Sequence, residues 1–144
     1  MEKISTLMPP LTKQNKAKEA SFGIYLKNWV ENNPLPFPCS LELKQETNKD
    51  SIPFSCVSDK QIAYANKISG NKGCWIRVVG LDGQPDYVWM INSPAYIVIK
   101  YPKCFVFITI GTFLLEKERS KRKSLTEARA RDISVKTVEL STRK

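Results

Sequence analysis

Residues 40–44 read Ser-Leu-Glu-Leu-Lys, in which apolar and polar side chains alternate. This alternation is typical of a β-strand, because successive side chains of a strand point to opposite faces. Leu41 and Leu43 then face a core, whereas Glu42 and Lys44 share the other face. The stretch therefore predicts a strand that holds a carboxylate and an ammonium group side by side.

The segment before this strand predicts an amphipathic helix over about residues 18–32, because apolar residues recur at helical spacing. The apolar positions are Phe22, Leu26, Trp29 and Val30. The helix ends before Asn33-Pro34, since a proline disfavours the helical conformation of the residue that precedes it. Residues 1–17 contain two prolines and several lysines, and we expect them to form a flexible basic arm.

The segment after the strand predicts a second helix, capped by Ser58 or Asp59 and ended at Gly70, followed by several strands. The predicted strands are Cys74–Val79, Tyr87–Ile91, Ala95–Lys100 and Cys104–Ile110. Their connections are short, which favours antiparallel pairing. A capping box at Ser124 and Glu127 predicts a last, basic helix over 125–133. Residues 18–144 are thus expected to form one domain that combines helices with a sheet.

The composition excludes several classes of protein. The chain has 144 residues, a net charge of +9 and no histidine, so histidine-dependent catalysis and most zinc sites are excluded. The four cysteines form no CxxC pair, and Cys74 and Cys104 are expected in the core. The longest apolar run, 105–115, is about half of what a membrane span requires. We expect no membrane partner, a cytoplasmic location and a polyanionic partner, with nucleic acid first.

Glu42 and Lys44 suit metal-assisted hydrolysis of a phosphodiester. A carboxylate holds Mg²⁺, which prefers oxygen ligands, and a neighbouring lysine orients water or neutralises charge on a phosphate. The alternative is a solvent-facing ion pair, because a three-residue motif is weak on its own. Glu19 lies on the apolar stripe of the first helix and is a second candidate ligand; the alternative is an acidic residue that the start of a helix favours.

Four segments together resemble the PD-(D/E)XK nuclease superfamily, and within it the small phage-encoded proteins related to Holliday-junction resolvases, including the resolvase of Gram-positive bacteria. The segments are Glu19–Gly23, Ser40–Lys44 with Thr47, Ile52–Val57 leading to Gln61, and Ala95–Pro102 with Lys121–Thr126 downstream. They span most of residues 19–131, in the order that the family shows. The resemblance implies an α/β fold of the restriction-endonuclease type, with a mixed central sheet flanked by helices.

The resemblance also implies an activity and a set of roles. Glu42 would be a metal ligand and Lys44 the catalytic lysine. Glu19 would complete the metal site, and Gln61 would lie beside it as a catalytic residue. The implied protein is a homodimeric endonuclease that uses Mg²⁺, or Mn²⁺, to cut four-way or other branched DNA, and it acts in the host cytoplasm if a phage encodes it.

One position departs from the family pattern. The family has an aspartate on the strand before Glu-x-Lys, but between the first helix and Glu42 this chain has no acidic residue beyond Glu31. A second register, Pro85-Asp86 followed by Val98-Ile99-Lys100, has the right spacing, but valine cannot bind a metal. We therefore prefer the Glu42 register, to which Asp86 would contribute as a further metal ligand from a neighbouring strand.

The segment from 116 to 131 carries seven candidate contacts for DNA phosphates, which position a protein without reading sequence. These are Lys117, Arg119, Lys121, Arg122, Lys123, Arg129 and Arg131. The alternative is a solvated surface of ion pairs, because glutamates interleave. Trp29, Trp75 and Trp89 lie in apolar patterns and are expected in the core rather than as platforms for bases.

The leading hypothesis is a metal-dependent DNA endonuclease. Two other hypotheses stay open. The first is a catalytically inactive nucleic-acid-binding protein on the same fold, and the missing aspartate motivates it. The second is a phage protein that binds a host protein through its sheet, in which case the basic charge is incidental.

Overall fold

The computed structural model describes residues 15–35, 39–45 and 49–140, with side chains described from Ser21 onward. The helices are α1 (Asn15–Asn32), α2 (Asp59–Ser69), α3 (Ile110–Arg119) and α4 (Glu127–Ile133), with a 3₁₀ turn at Phe54–Cys56. The strands are β1 (Ser40–Gln45), β2 (Ser51–Pro53), β3 (Cys74–Val79), β4 (Pro85–Met90), β5 (Ala95–Lys100), β6 (Cys104–Thr109), β7 (Ser124–Thr126) and β8 (Lys136–Glu139).

The central sheet has four strands in the order β1-β5-β6-β8. Strand β1 lies at one edge and runs parallel to β5, whereas β5–β6 and β6–β8 are antiparallel. In this register Glu42 lies beside Ile97 and Lys44 beside Ile99. The prediction of an α/β protein with a mixed sheet is confirmed. Two further pairs, β2–β7 and β3–β4, form separate two-stranded antiparallel sheets.

Each face of the central sheet packs against helices. On one face, α1 buries aromatic residues against β5 and β6, and Phe22, Tyr25 and Trp29 each make an edge-to-face contact with Phe105, at ring-centre distances of 5.7, 5.9 and 5.5 Å. Leu41 and Leu43 of β1 pack into the same cluster, as the alternation predicted. The other face carries the core shared with α2 and α3.

The two predicted helices that flank β1 form, with small differences in their bounds. Helix α1 begins at Asn15, earlier than the predicted residue 18, while residues 1–14 of the predicted arm lie outside the described residues. Helix α2 is capped by Ser58 rather than Asp59. The Ser58 hydroxyl accepts from the Gln61 backbone N–H at 3.2 Å, and the Gln61 side chain accepts from the Ser58 backbone N–H at 2.9 Å.

The C-terminal third differs more from the prediction. The apolar run from 105 divides at Thr109, whose hydroxyl accepts from the Thr112 backbone N–H and starts α3, a helix that was not predicted. Ser124 does not cap a helix: it lies in β7, and Thr126 caps α4 instead. The predicted Ser124 capping box was therefore wrong, because tertiary pairing with β2 takes the residue into a strand.

The tryptophans divide between core and surface. Trp29 is 7% exposed, which confirms its predicted core position. Trp75 and Trp89 are 62% and 45% exposed, so the prediction that they are core residues was wrong. They face outward on the β3–β4 hairpin, whereas Cys74 and Met90, the pair next to them, pack partly against the core. No helix in the described part of the chain is long and apolar enough to cross a membrane.

Candidate active site

The edge position of β1 brings Glu42 and Lys44 beneath α2. Both side chains lie on the sheet face opposite to Leu41 and Leu43, since residues alternate along a strand. The Lys44 ammonium lies 3.6 Å from Glu42 Oε2. The Lys44 side chain is only 14% exposed, while that of Glu42 is 35% exposed. The lysine is thus largely covered, and the carboxylate keeps access to solvent.

Gln61 is the third member of this group. Its Nε2 donates to Glu42 Oε2 at 3.1 Å, and its Oε1 accepts from the Ser58 backbone N–H at 2.9 Å. The capping box at the start of α2 therefore holds the Gln61 amide in one orientation, with its N–H group directed at the carboxylate. The structure brings together the three residues that the sequence predicted as catalytic, and we call Glu42, Lys44 and Gln61 the Glu-Lys-Gln cluster.

Glu42 and Gln61 of the Glu-Lys-Gln cluster line an open cleft of about 470 Å³ between β1 and α2. Its lining residues are Ser40, Glu42, Lys60, Gln61, Ala63, Tyr64, Ala65, Lys67 and Tyr96. Lys60, Tyr64 and Lys67 follow helical spacing and line one stripe of α2. A cleft that combines one carboxylate with several ammonium groups suits a phosphodiester, because the cations balance the negative charge of the phosphate.

The other predicted metal ligands are placed differently. Glu19 lies in α1, which packs on the sheet face opposite to Glu42, and its side chain lies outside the described residues. Asp86 lies in β4, beside Val78 of the separate hairpin, and it does not line the cleft. Among the described side chains, no group of three or more acidic or cysteine residues could hold a metal ion. The roles of Glu19 and Asp86 as metal ligands remain predictions.

The second sequence register can be located as well. Val98 is fully buried in the core beneath α1, and Lys100 is 6% exposed. By the alternation of β5, the side chain of Lys100 shares the face of Val98, and Lys100 is not among the residues that line the cleft. The Pro85-Asp86 register therefore does not supply a lysine to the cleft that Glu42 borders.

Two of the seven predicted phosphate contacts are engaged within the protein. Arg129 donates two hydrogen bonds to Glu116, at 2.8 and 3.0 Å, and these hold the pKa of the Glu116 carboxyl below its usual range. Arg131 donates to Glu127 at 3.1 Å and to Glu139 at 2.6 and 3.0 Å. For these two arginines the alternative of an ion-paired surface applies. The other five are exposed, and none forms an ion pair with a described residue: Lys117, Arg119, Lys121, Arg122 and Lys123.

Two lysines of the cleft, Lys60 and Lys67, were not predicted from the sequence. Their seven-residue separation within the predicted second helix places them on one face, and Gln61 follows Lys60 directly. That spacing alone does not indicate a binding cleft, because lysines on an amphipathic helix ordinarily belong to a solvated surface. Only the structure shows that this face of α2 lies over β1.

Cys104 is a core residue, as predicted. It is fully buried, and burial raises the pKa of its thiol to about 11. Cys74 is half-buried and packs partly against the same core.

Comparison of the chain with protein-family models, with curated proteins and with solved structures finds no match. The assignment of a function therefore depends on the geometry of the cleft and on the residues that line it.

Proposed function

We propose that this protein is a metal-dependent DNA endonuclease that hydrolyses phosphodiester bonds, with four-way or other branched DNA as its preferred substrate. One observation carries the proposal. A carboxylate at the border of an open cleft, that of Glu42, lies within reach of a largely covered lysine and of an amide fixed by a helix cap. A carboxylate that can hold a metal ion and a nearby ammonium group suit metal-assisted hydrolysis of a phosphodiester.

The cluster is more than a solvent-facing ion pair. A simple surface pair keeps both side chains in water and contributes little to stability. Here the Lys44 side chain is 14% exposed, and covering a charge costs free energy unless it is paired. The Glu42 carboxylate also has a third partner, Gln61, from a separate element of the fold.

The donor set fits a hard divalent cation. Mg²⁺ is often held by one or two carboxylates together with water and the phosphate oxygens of a substrate. Glu42 would supply the carboxylate, since its side chain is partly exposed beside the cleft. The ion, when bound, polarises the phosphate and lowers the pKa of bound water. Glu42 is the predicted ligand that the structure places at the cleft, since α1 with Glu19 packs on the opposite face of the sheet and Asp86 does not line the cleft. Mn²⁺ is the expected substitute metal.

The residues of the chain have distinct roles in this proposal. The Lys44 ammonium neutralises the negative charge that develops on the phosphate and orients the attacking water. The Gln61 amide fixes the Glu42 carboxylate through its 3.1 Å hydrogen bond. Lys60 and Lys67 bind the phosphates that flank the scissile bond, because they line the same cleft.

DNA as the substrate is supported by charge. The chain has a net charge of +9, and five of the predicted basic residues of 116–131 remain exposed without an ion pair to a described residue. The mixed sheet with helices on both faces is compatible with a restriction-endonuclease-like fold. That fold, a homodimer with two coordinated sites and a location in the cytoplasm are parts of the proposal.

The missing aspartate before Glu42 favours a second candidate, a nucleic-acid-binding protein on the same fold that does not cut. Cleavage assays on a labelled four-way junction, a duplex and a single strand, each with Mg²⁺, Mn²⁺ or EDTA, distinguish the two. The endonuclease predicts metal-dependent products with the junction cut best. Junction binding without products in any metal would support the second candidate and refute the first.

A further inference from the structure

The β3–β4 hairpin concentrates the exposed apolar surface of the protein. Eight of the twelve large apolar residues that are exposed in the described ranges lie between 75 and 91. One of its faces carries three aromatic rings: Trp75 and Trp89 are cross-strand neighbours with ring centres 5.1 Å apart, and Tyr87 is 61% exposed. Exposed apolar residues gathered on one element suggest a binding surface, since large exposed apolar patches often have a partner.

The chemistry of this aromatic face favours bases over an apolar protein surface. Arg77 is the cross-strand neighbour of Tyr87, so by strand alternation a guanidinium group shares the face with the rings. Arginine and aromatic rings both stack on nucleobases. The two acidic residues of the hairpin lie elsewhere: Asp82 is in the turn, and Asp86 is beside Val78 on the opposite face. The aromatic face thus carries a cation and no carboxylate.

The hairpin is joined directly to the cleft. The Tyr64 hydroxyl of α2 donates to the backbone carbonyl of Trp75 at 3.2 Å. Tyr64 lines the cleft together with Lys60 and Lys67, and its side chain is 45% exposed. Tyr64 therefore links the backbone of Trp75 to the cleft that Lys60 and Lys67 line.

We propose that the aromatic face of the β3–β4 hairpin binds the unpaired bases of a single-stranded nucleic acid segment, whose phosphates cross Lys60 and Lys67. This site recognises bases, which the proposed function does not require. The path of the nucleic acid into the cleft rests on the proposed endonuclease function, whereas the binding of bases by the aromatic rings does not.

Gly73, at the base of the hairpin, helps to fix the position of the Trp75–Trp89 pair. Its φ of +75° is one that L side chains rarely adopt, and a Cβ there would lie 2.6 Å from the Trp89 ring and 2.9 Å from the Met90 carbonyl oxygen. Glycine thus lets the chain enter β3 directly beneath the Trp89 ring. A preformed platform loses less entropy on binding than one that must be ordered.

The test is a fluorescence titration of the full chain in EDTA, so that cleavage plays no part. The probe is an oligothymidylate of about 12 nucleotides, within the usual length for such sites. Trp29 is buried, so changes in emission report Trp75 and Trp89. We expect quenching and protection from acrylamide with the oligothymidylate, and neither with an abasic strand of the same length and charge. Equal binding of both strands would overturn the proposal, because the bases would then contribute nothing.

Two matched double variants separate stacking from folding. Since both variants lack the reporting tryptophans, their affinity and that of wild type are compared by the fluorescence anisotropy of an end-labelled oligothymidylate. The W75A/W89A variant should bind it roughly 5- to 100-fold more weakly, whereas W75F/W89F, which keeps two rings, should stay close to wild type. Leu81→Ala is the control, because it removes an apolar side chain fully exposed at the turn. Circular dichroism checks the fold of each variant, and the wild-type titration stands if W75A/W89A fails to fold.

A folded W75A/W89A that binds with wild-type affinity would refute the proposal. So would a concentration-dependent dimer, seen by sedimentation, that the same variant abolishes while oligothymidylate binding persists; the hairpin would then be an interface between two copies. Normal binding in EDTA without cleavage in Mg²⁺ would refute the proposed nuclease and leave this site intact.

Discussion

The side-chain amide of Gln61 donates a hydrogen bond of 3.1 Å to the carboxylate of Glu42, 19 residues earlier in the chain. The same side chain closes the capping box of α2 with Ser58. A single glutamine therefore connects the start of a helix to the carboxylate on the edge strand. The capping contacts between Ser58 and Gln61 that start α2 thus also hold the amide that orients the Glu42 carboxylate.

Gln61→Glu tests whether this amide matters for activity. Glutamate keeps a capping acceptor for the Ser58 backbone N–H but removes the donor and places a second carboxylate beside Glu42. We expect cleavage to fall about 10- to 100-fold, the usual range for a residue that orients a metal ligand, and thermal stability to fall modestly because the two carboxylates repel each other. Steady-state cleavage and a melting curve measure the two effects.

Ser58→Ala is the control: it weakens the cap by about 1 kcal/mol and keeps the amide. Wild-type activity in Gln61→Glu would contradict the role of Gln61.

The exposed loop after α3 should supply contacts to DNA phosphates. A triple variant, K121A/R122A/K123A, should lower affinity at all sequences and reduce the slope of log K against log salt by about 2 to 3, since each phosphate contact contributes about 0.9. Fluorescence anisotropy at several salt concentrations measures this slope. Arg129→Ala is the matched control, because its guanidinium is already bound to Glu116. A larger loss of affinity from Arg129→Ala than from the triple variant would reverse this assignment.

Much of the site could be predicted from the sequence because its signals are local. Alternation along residues 40–44 determined which face Glu42 and Lys44 share, and strand geometry alone dictates that relationship. Helical periodicity placed Gln61 in the first turn of α2. The expectation that Gln61 lies beside Glu42 came from the family resemblance rather than from either pattern. The hydrogen bond between them depends on how α2 crosses the sheet.

The Glu116–Arg129 pair should make stability depend on pH in the acid range. Its hydrogen bonds hold the pKa of Glu116 below the usual value, so the folded state binds fewer protons there than the unfolded chain. The stabilisation is complete above the ordinary glutamate pKa of about 4.3 and is lost as the pH falls through the lowered one. Melting curves of wild type and Glu116→Gln at about pH 7 and about pH 3 should show a gap that narrows in acid. A gap that stays constant would contradict the pairing in solution.

Phe105 should be among the most costly positions in the core. It is fully buried, and three rings of α1 meet its edge or face. Phe105→Ala should lower the free energy of unfolding by about 3–5 kcal/mol, since it leaves a cavity between α1 and the sheet. Urea denaturation measures this loss. Leu115→Ala, at an exposed position of α3, should cost far less, and a similar loss at both positions would show that α1 is not packed this way.

Other features could not be predicted from the sequence, for identifiable reasons. Trp75 and Trp89 stand in an apolar pattern that normally indicates a core strand, but the pattern cannot show that β3 and β4 form a hairpin outside the central sheet. Ser124 has the spacing of a capping box, yet pairing with Pro53 draws it into a strand. In each case a tertiary contact overrides a local preference.

The most direct test of the proposed function is cleavage of a labelled four-way junction in Mg²⁺ by wild type, Glu42→Gln and Lys44→Met, beside an EDTA reaction. Glu31→Gln is the control, because Glu31 is an exposed carboxylate of α1, which packs on the opposite face of the sheet. We expect metal-dependent products from wild type and Glu31→Gln, and a loss of at least about 100-fold in both cluster variants while each still binds the junction. Cleavage in EDTA, or full activity in Glu42→Gln, would contradict the proposed endonuclease.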